Sequence, residues 1–128
     1  HSRVLKSQGI SSVLDLNEGQ LFVKSIFRKF QDLGWIVLDL MYIDDEIASY
    51  TLGFQYGEKY FHWNIGREPK YDWYSPGNLI LEYRLMEYFR SNLFSEVDFM
   101  RGEENWKSRW TNLYRKNYRV TIYNNNFF

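Results

Sequence analysis

Ser75-Pro76-Gly77-Asn78, directly after the aromatic run Tyr71-Asp72-Trp73-Tyr74, is a helix start made of residues that suit an anion. Ser75 fits the N-cap position, where its hydroxyl accepts from the amide of Gly77 or Asn78. Pro76 fits the first helical position, since its missing N–H costs nothing there. Gly77 has no side chain, so a second molecule can approach its backbone closely. Unpaired amides and the helix dipole then favour a phosphate; the same pattern also makes an ordinary capped helix. His62, in "KYFHWNIG", has the intrinsic pKa of a general base near neutrality. Its other reading is a strand histidine bonded to a neighbour. Asp98, in Val97-Asp98-Phe99, suits a base or a substrate-orienting carboxylate, and equally a partner for Arg101 or a cap on the next helix. The aromatic run 71–74 suits stacking on a sugar ring, or packing over the core.

These residues need elements to hold them. "EGQLFVKSIFRKFQDLG" puts Phe22, Ile26, Phe30 and Leu33 on one helical stripe, with Gly34 at the C-terminal cap. "WIVLDLMY" is apolar on both faces, as for a strand covered on each side. "IASYTLGFQY", the Gly57-Glu58 turn and "KYFHWNIG" complete a three-strand antiparallel meander. A loop over 67–77 leads to a mostly buried helix, with Leu79, Tyr83, Met86, Phe89 and Leu93 three or four apart. "SEVDFMRG" reads as a short strand, "EENWKSRWTNLYRK" as an amphipathic helix and "NYRVTIY" as a closing strand. The helix from Pro76 is expected to be a right-handed crossover between parallel strands. Residues 1–17 read as an arm or part of a preceding lobe, 18–123 as one domain and 124–128 as a tail.

The joint pattern "YSPGNLILEYRLMEYF…VDFMRGEENWKSRW" resembles the C-terminal domain of the GNAT-like acyltransferases of cellulose and exopolysaccharide biosynthesis. That family pairs a Ser-Pro-Gly helix start with Asp-Phe-Leu-x-Gly, an acidic residue and Tyr-Lys-x-x-Trp. The matching positions are Ser75, Pro76 and Gly77, then Asp98, Phe99, Met100 and Gly102, then Glu103 or Glu104, Lys107 and Trp110. The resemblance covers roughly residues 20–123. It implies a mixed α/β sheet of GNAT type, in which the parallel strands on either side of the crossover splay apart. It further implies acyl-CoA (acetyl-CoA) as co-substrate, with pantetheine in the gap and pyrophosphate at the helix start. Tyr74, Ser75, Gly77, Asn78 and Lys107 are then the candidate cofactor-binding residues, and Asp98 and His62 candidates for catalysis. Two departures stand out. "YDWYSPG" lacks the usual Gln/Arg-x-x-Gly-x-Gly/Ala phosphate loop, and Trp106 replaces the tyrosine before the lysine. An indole cannot give up a proton near neutral pH, so if that tyrosine is the family's thiolate acid, this chain either uses another group, such as Tyr114, or lacks the activity.

Composition bounds the alternatives. The chain of 128 residues fits one domain with a sizeable core, and 20% of it is aromatic. Lys+Arg and Asp+Glu are 16 each, so the formal net charge is +0. Arg109, Arg115, Lys116 and Arg119 stand among Trp110, Tyr114 and Tyr118, a mixture that suits single-stranded nucleic acid. A neutral balance nevertheless argues against nucleic acid, and against aminoacyl transfer from tRNA as in the related Fem-type enzymes. No cysteine is present, which excludes a thiolate nucleophile and fits a cytoplasmic protein. No metal site and no membrane span are expected. The start at His1-Ser2-Arg3, without methionine, reads as a piece of something longer. Two functions follow. One is acyl transfer to an amine or hydroxyl of a cell-envelope or exopolysaccharide precursor. The other is a non-catalytic module that binds a glycan or protein partner, or completes a second GNAT-like lobe or a homodimer.

Overall fold

The computed structural model describes residues 16–123, so the expected N-terminal arm and C-terminal tail lie largely or wholly outside the described residues. The described chain runs as helix α1 (Asn17–Gln31), strands β1 (Ile36–Ile43), β2 (Glu46–Tyr56) and β3 (Lys59–Arg67), a 3-10 turn (Pro69–Tyr74), helix α2 (Pro76–Ser91), strand β4 (Glu96–Asp98) and a second 3-10 turn (Lys107–Arg109). The sheet order is β1-β2-β3-β4. The first three strands are antiparallel neighbours, and β4 lies parallel to β3. This is the mixed α/β sheet the sequence implied, with α2 as the crossover between the parallel pair.

Tight turns set the meander. Asp44 and Asp45 both take positive φ between β1 and β2, as a two-residue hairpin turn demands. Gly57, at φ +58, turns β2 into β3 with open space where a Cβ would sit. One face of the sheet carries the core. Tyr60, Thr51, Ser49 and His62 are buried there beneath Ile80, Leu81, Leu85 and Tyr88 of α2. The Tyr60 and Tyr88 rings meet at 4.8 Å, and Phe94 closes on Tyr88 at 4.5 Å. Arg84 reaches across the same face to Asp39 of β1, its Nε 2.6 Å from Oδ2.

Three expectations fail in instructive ways. α2 does not bury the stripe Leu79, Tyr83, Met86, Phe89 and Leu93; these are exposed. The opposite stripe is inward: Ile80, Leu81, Leu85 and Tyr88 are buried, and Arg84 beside them pairs with Asp39. β1 is covered on one side only: Leu38, Leu40 and Tyr42 are exposed, because α1 reaches the second face at its edge, through Phe30 against Trp35 and Phe54. Finally, residues 103–116 form no helix beyond the 3-10 turn, and 117–123 form no strand. Lys107 folds back onto the preceding carbonyls and ties up the would-be first turn. Val120 and Ile122 meet no ladder and stay exposed.

Candidate active site

The parallel pair is short. Lys59, Tyr60 and Phe61 pair with Glu96, Val97 and Asp98, and there the ladder ends while β3 continues to Arg67. The chain leaves β4 through a tight turn in which the Met100 amide donates to Asp98 Oδ1 at 2.6 Å. Met100 has φ +58 and Gly102 +116, so the backbone doubles back. A cavity of about 360 Å³ opens in the resulting fork. His62, Asn64 and Ile65 line it from β3, and Phe99, Arg101 and Trp106 from the loop beyond β4. Its size falls within the range of small-molecule sites.

Lys107 holds the loop wall in place. Its ammonium donates to the carbonyl of Arg101 at 2.9 Å and to those of Gly102 and Met100 at 3.3 and 3.4 Å. It also pairs with Glu104 Oε2 at 2.7 Å. An ammonium has three donors and no acceptor, so this one is committed to the loop. Gly102 suits this closure through its φ of +116, a conformation that strains residues with a side chain.

His62 owes its position to a β-bulge. Leu52 pairs with Asn64 and Gly53 with His62, leaving Trp63 as the extra residue on β3. The bulge puts His62 on the same face as Ile65, beside Tyr60 and Thr51, where strict alternation would separate His62 from Ile65. His62 is 3% exposed. The Phe99 and Trp106 rings stand edge-on to it, each 5.9 Å away. Burial, and secondarily the positive charge of Lys107, lower its pKa to about 4. The imidazole is therefore neutral at physiological pH. Its Nδ1 lies 3.5 Å from the Tyr60 hydroxyl, and its Nε2 has no hydrogen-bond partner.

Behind His62 lies a polar cluster that sequence reading missed. Tyr60 and Thr51 are buried on the same face of the sheet. Thr51 Oγ1 donates to Asp39 Oδ2 at 3.1 Å, and Arg84 grips the same carboxylate through Nε and a terminal nitrogen. Gly53 makes room for it: a Cβ there would come within 2.5 Å of the Tyr60 ring and hydroxyl. A glycine in mid-strand was the one available signal, since it marks a bulge or a close approach.

The other candidates sit apart from the fork's interior. Ser75 caps no amide with its hydroxyl and takes a left-handed conformation, φ +50. Its carbonyl instead accepts the amides of Asn78 and Leu79 at 2.9 and 3.2 Å. With Pro76 lacking an N–H, the Gly77 amide is what the helix start has to offer an anion. Gly77 abuts the cavity wall, its Cβ position 3.4 Å from Ile65 Cδ1. Tyr74 and Asn78 are exposed. In the adjoining turn, Asp72 is fixed by Arg67 at 2.5 Å and Tyr71 reaches Glu46 at 3.2 Å, while Trp73 is 91% exposed. Asp98 is occupied as the cap of its own turn. Tyr114 is exposed and not part of the cavity lining. Among the described residues, no group of three or more His, Asp or Glu side chains gathers as a metal site would, and no helix is long and apolar enough to cross a membrane.

An α/β domain with a forked parallel pair, a crossover helix opening beside the fork and a neutral histidine within it has the frame of a group-transfer enzyme of the GNAT class. The chain belongs to that family: the model of the acetyltransferase (GNAT) domain matches residues 1–108. The match ends within the Lys107–Arg109 turn, just past the last residues that line the fork. No curated protein and no solved structure matches the chain. Membership carries acyl transfer as the family's general chemistry, with acetyl-CoA its general donor.

Proposed function

We propose that the fork between β3 and the chain beyond β4 receives the acyl arm of an acyl-CoA, and that His62 serves as the base for transfer to an amine or hydroxyl. The observation that carries this reading is a buried, neutral imidazole lining the fork with its Nε2 unpartnered. Trp63, Ile65, Phe99, Met100 and Trp106 supply an apolar wall that fits a pantetheine-like chain. The phosphates fit less closely: Gly77 offers its amide and Arg101 a guanidinium at the cavity rim, but Lys107 faces the loop.

When bound, the donor supplies a thioester carbonyl. The acceptor's nitrogen or oxygen forms a bond to that carbon as its proton passes to His62 Nε2, and the C–S bond then breaks. The departing thiolate takes the proton back from the imidazolium. No tyrosine is needed at position 106, because one group serves as base and then acid. A low histidine pKa suits this second role, since a weakly basic imidazole gives its proton up readily.

The finer assignment is a cell-envelope or exopolysaccharide precursor as acceptor. It is supported by the Trp73 face, exposed next to the helix start, which suits stacking on a sugar ring. The test is a thiol-release assay with acetyl-CoA and a panel of amino-sugar and hydroxyl acceptors. The expected result is acceptor-dependent release that falls at least 100-fold in His62→Gln, in line with the loss of a general base. Equal release by His62→Gln would refute the role of His62. No release with any acceptor, together with no acetyl-CoA binding at millimolar donor, would favour the non-catalytic module.

A further inference from the structure

α2 is apolar on two faces, and the fold uses one of them. Ile80, Leu81, Leu85 and Tyr88 are buried against the sheet. Leu79, Tyr83, Met86 and Phe89, with Leu93 just past the C-cap Asn92, stand exposed on the other side. A helix apolar all round belongs in an interior, and a contiguous exposed apolar stripe marks a contact surface. Met86 and Phe89 also line a cleft of about 350 Å³ that reaches Val97 of β4, so the apolar surface is wider than the stripe. The order of residues along the stripe says what it contacts. About Met86 the sequence is close to self-complementary: Tyr83 and Phe89 stand three residues to either side, Glu82 and Arg90 four, Leu79 and Leu93 seven. An antiparallel partner with the same sequence turns that spacing into matched pairs. A two-fold axis at Met86 brings Tyr83 level with Phe89 of the second copy, Leu79 level with its Leu93 and Glu82 level with its Arg90. Each pair then occurs twice, as a two-fold interface requires. Parallel helices in register would instead set Glu82 against Glu82 and Arg90 against Arg90. Both charges are exposed, and Arg90 is held only by Glu87 of its own helix, at 3.5 Å.

We propose that the outer face of α2 is a self-association surface, on which α2 of a second copy seats antiparallel with Met86 at the two-fold axis. Aromatic and aliphatic side chains supply the contact, and the Glu82–Arg90 cross-pairs fix its direction and register. No residue of the stripe lines the fork, so this inference stands apart from the acyl-transfer reading. The 16 residues of α2 give a facing surface about 24 Å long. That is short for a permanent complex, and the dimer is a reversible one.

The test is sedimentation of the whole chain from micromolar to near-millimolar concentration at low salt. The expected wild-type result is a concentration-dependent monomer–dimer equilibrium. Glu82→Lys sets a lysine against Arg90 of the second copy, and Arg90→Glu sets a glutamate against its Glu82. Each alone is expected to weaken the dimer roughly tenfold or more. Mixed in equal amounts, the two variants are expected to recover wild-type affinity, because both cross-pairs are then opposite in charge. Met86→Lys places like charges together at the axis and is expected to leave the chain monomeric. Phe89→Ala is expected to weaken the dimer while leaving the unfolding of a dilute sample unchanged. A wild type that stays monomeric to near-millimolar concentration would overturn the inference, whether or not any variant folds. Association unchanged in a folded Met86→Lys would overturn it too, and would point to the exposed chain after Thr111. A mixture no tighter than either charge variant alone would rule out the antiparallel register, and the proposal with it.

Discussion

His62 couples the candidate chemistry to stability through pH. Its folded pKa is about 4 and its unfolded value 6.5, so between those limits the unfolded chain binds the additional proton. The stability due to a neutral His62 is complete above pH 6.5 and is lost as pH falls to about 4, at most roughly 3 kcal/mol over that span. Urea midpoints of wild type and His62→Gln, measured side by side from pH 7 to 4, isolate this effect from the carboxylates. Wild type is expected to lose stability faster than the variant across that window; parallel curves would mean an ordinary, solvated histidine. Lys107 invites a second test. Replacing it by methionine strips the carbonyls of Met100, Arg101 and Gly102 of a shared donor. The expected cost is about 1–3 kcal/mol, with faster amide exchange at residues 100–104. The residue types at 62, 98 and 107 flagged themselves in the sequence, but their commitments did not. Asp98 and Lys107 resemble binding groups until backbone partners are seen, and Asp39, Thr51 and Tyr60 carry no motif.

At the scale of elements, the β-bulge and α2 decide what the fork contains. Gly53→Ala places a methyl group into the Tyr60 ring and against the Phe61 carbonyl, both 2.5 Å away. A loss of about 1–3 kcal/mol is expected, together with displacement of Tyr60 from His62, read from the denaturation midpoint and the ring-proton shifts of His62. The orientation of α2 is testable by truncation. Leu85→Ala, at a site 8% exposed, is expected to cost about 2–5 kcal/mol, and Phe89→Ala, at 78%, to stay within about 0.5 kcal/mol. The reverse ranking would restore the stripe first read from the sequence. Period and turn chemistry made the meander and both helices legible, because Asp44-Asp45, Gly57 and Gly34 punctuate them. The inward face of α2 was not legible. Both of its faces are apolar, and the Arg84–Asp39 pair that accompanies the inward one joins residues 45 apart. The bulge was hidden as well, because an extra strand residue leaves alternation intact on either side.

Over the whole molecule, the ladder that ends at Asp98 matters most, since it turns a closed sheet edge into a fork. The joint motif of residues 75–110 made the GNAT class legible before any coordinates. The segment after Thr111 was not: its helical and strand patterns are present, yet apart from the Arg115–Glu96 ion pair at 2.7 Å it stands exposed. Periodicity alone cannot form an element without a surface to cover. The most direct measurement is an acetyl-CoA titration followed by proton–nitrogen spectra, in which the 5 tryptophan indoles report separately. The expected result is saturable shifts at Trp63 and Trp106 and at the amides of Ile65, Gly77 and Phe99, with Trp35 unmoved. Spectra unchanged at millimolar acetyl-CoA, or shifts confined to α1 and the chain after Thr111, would contradict a donor site in the fork.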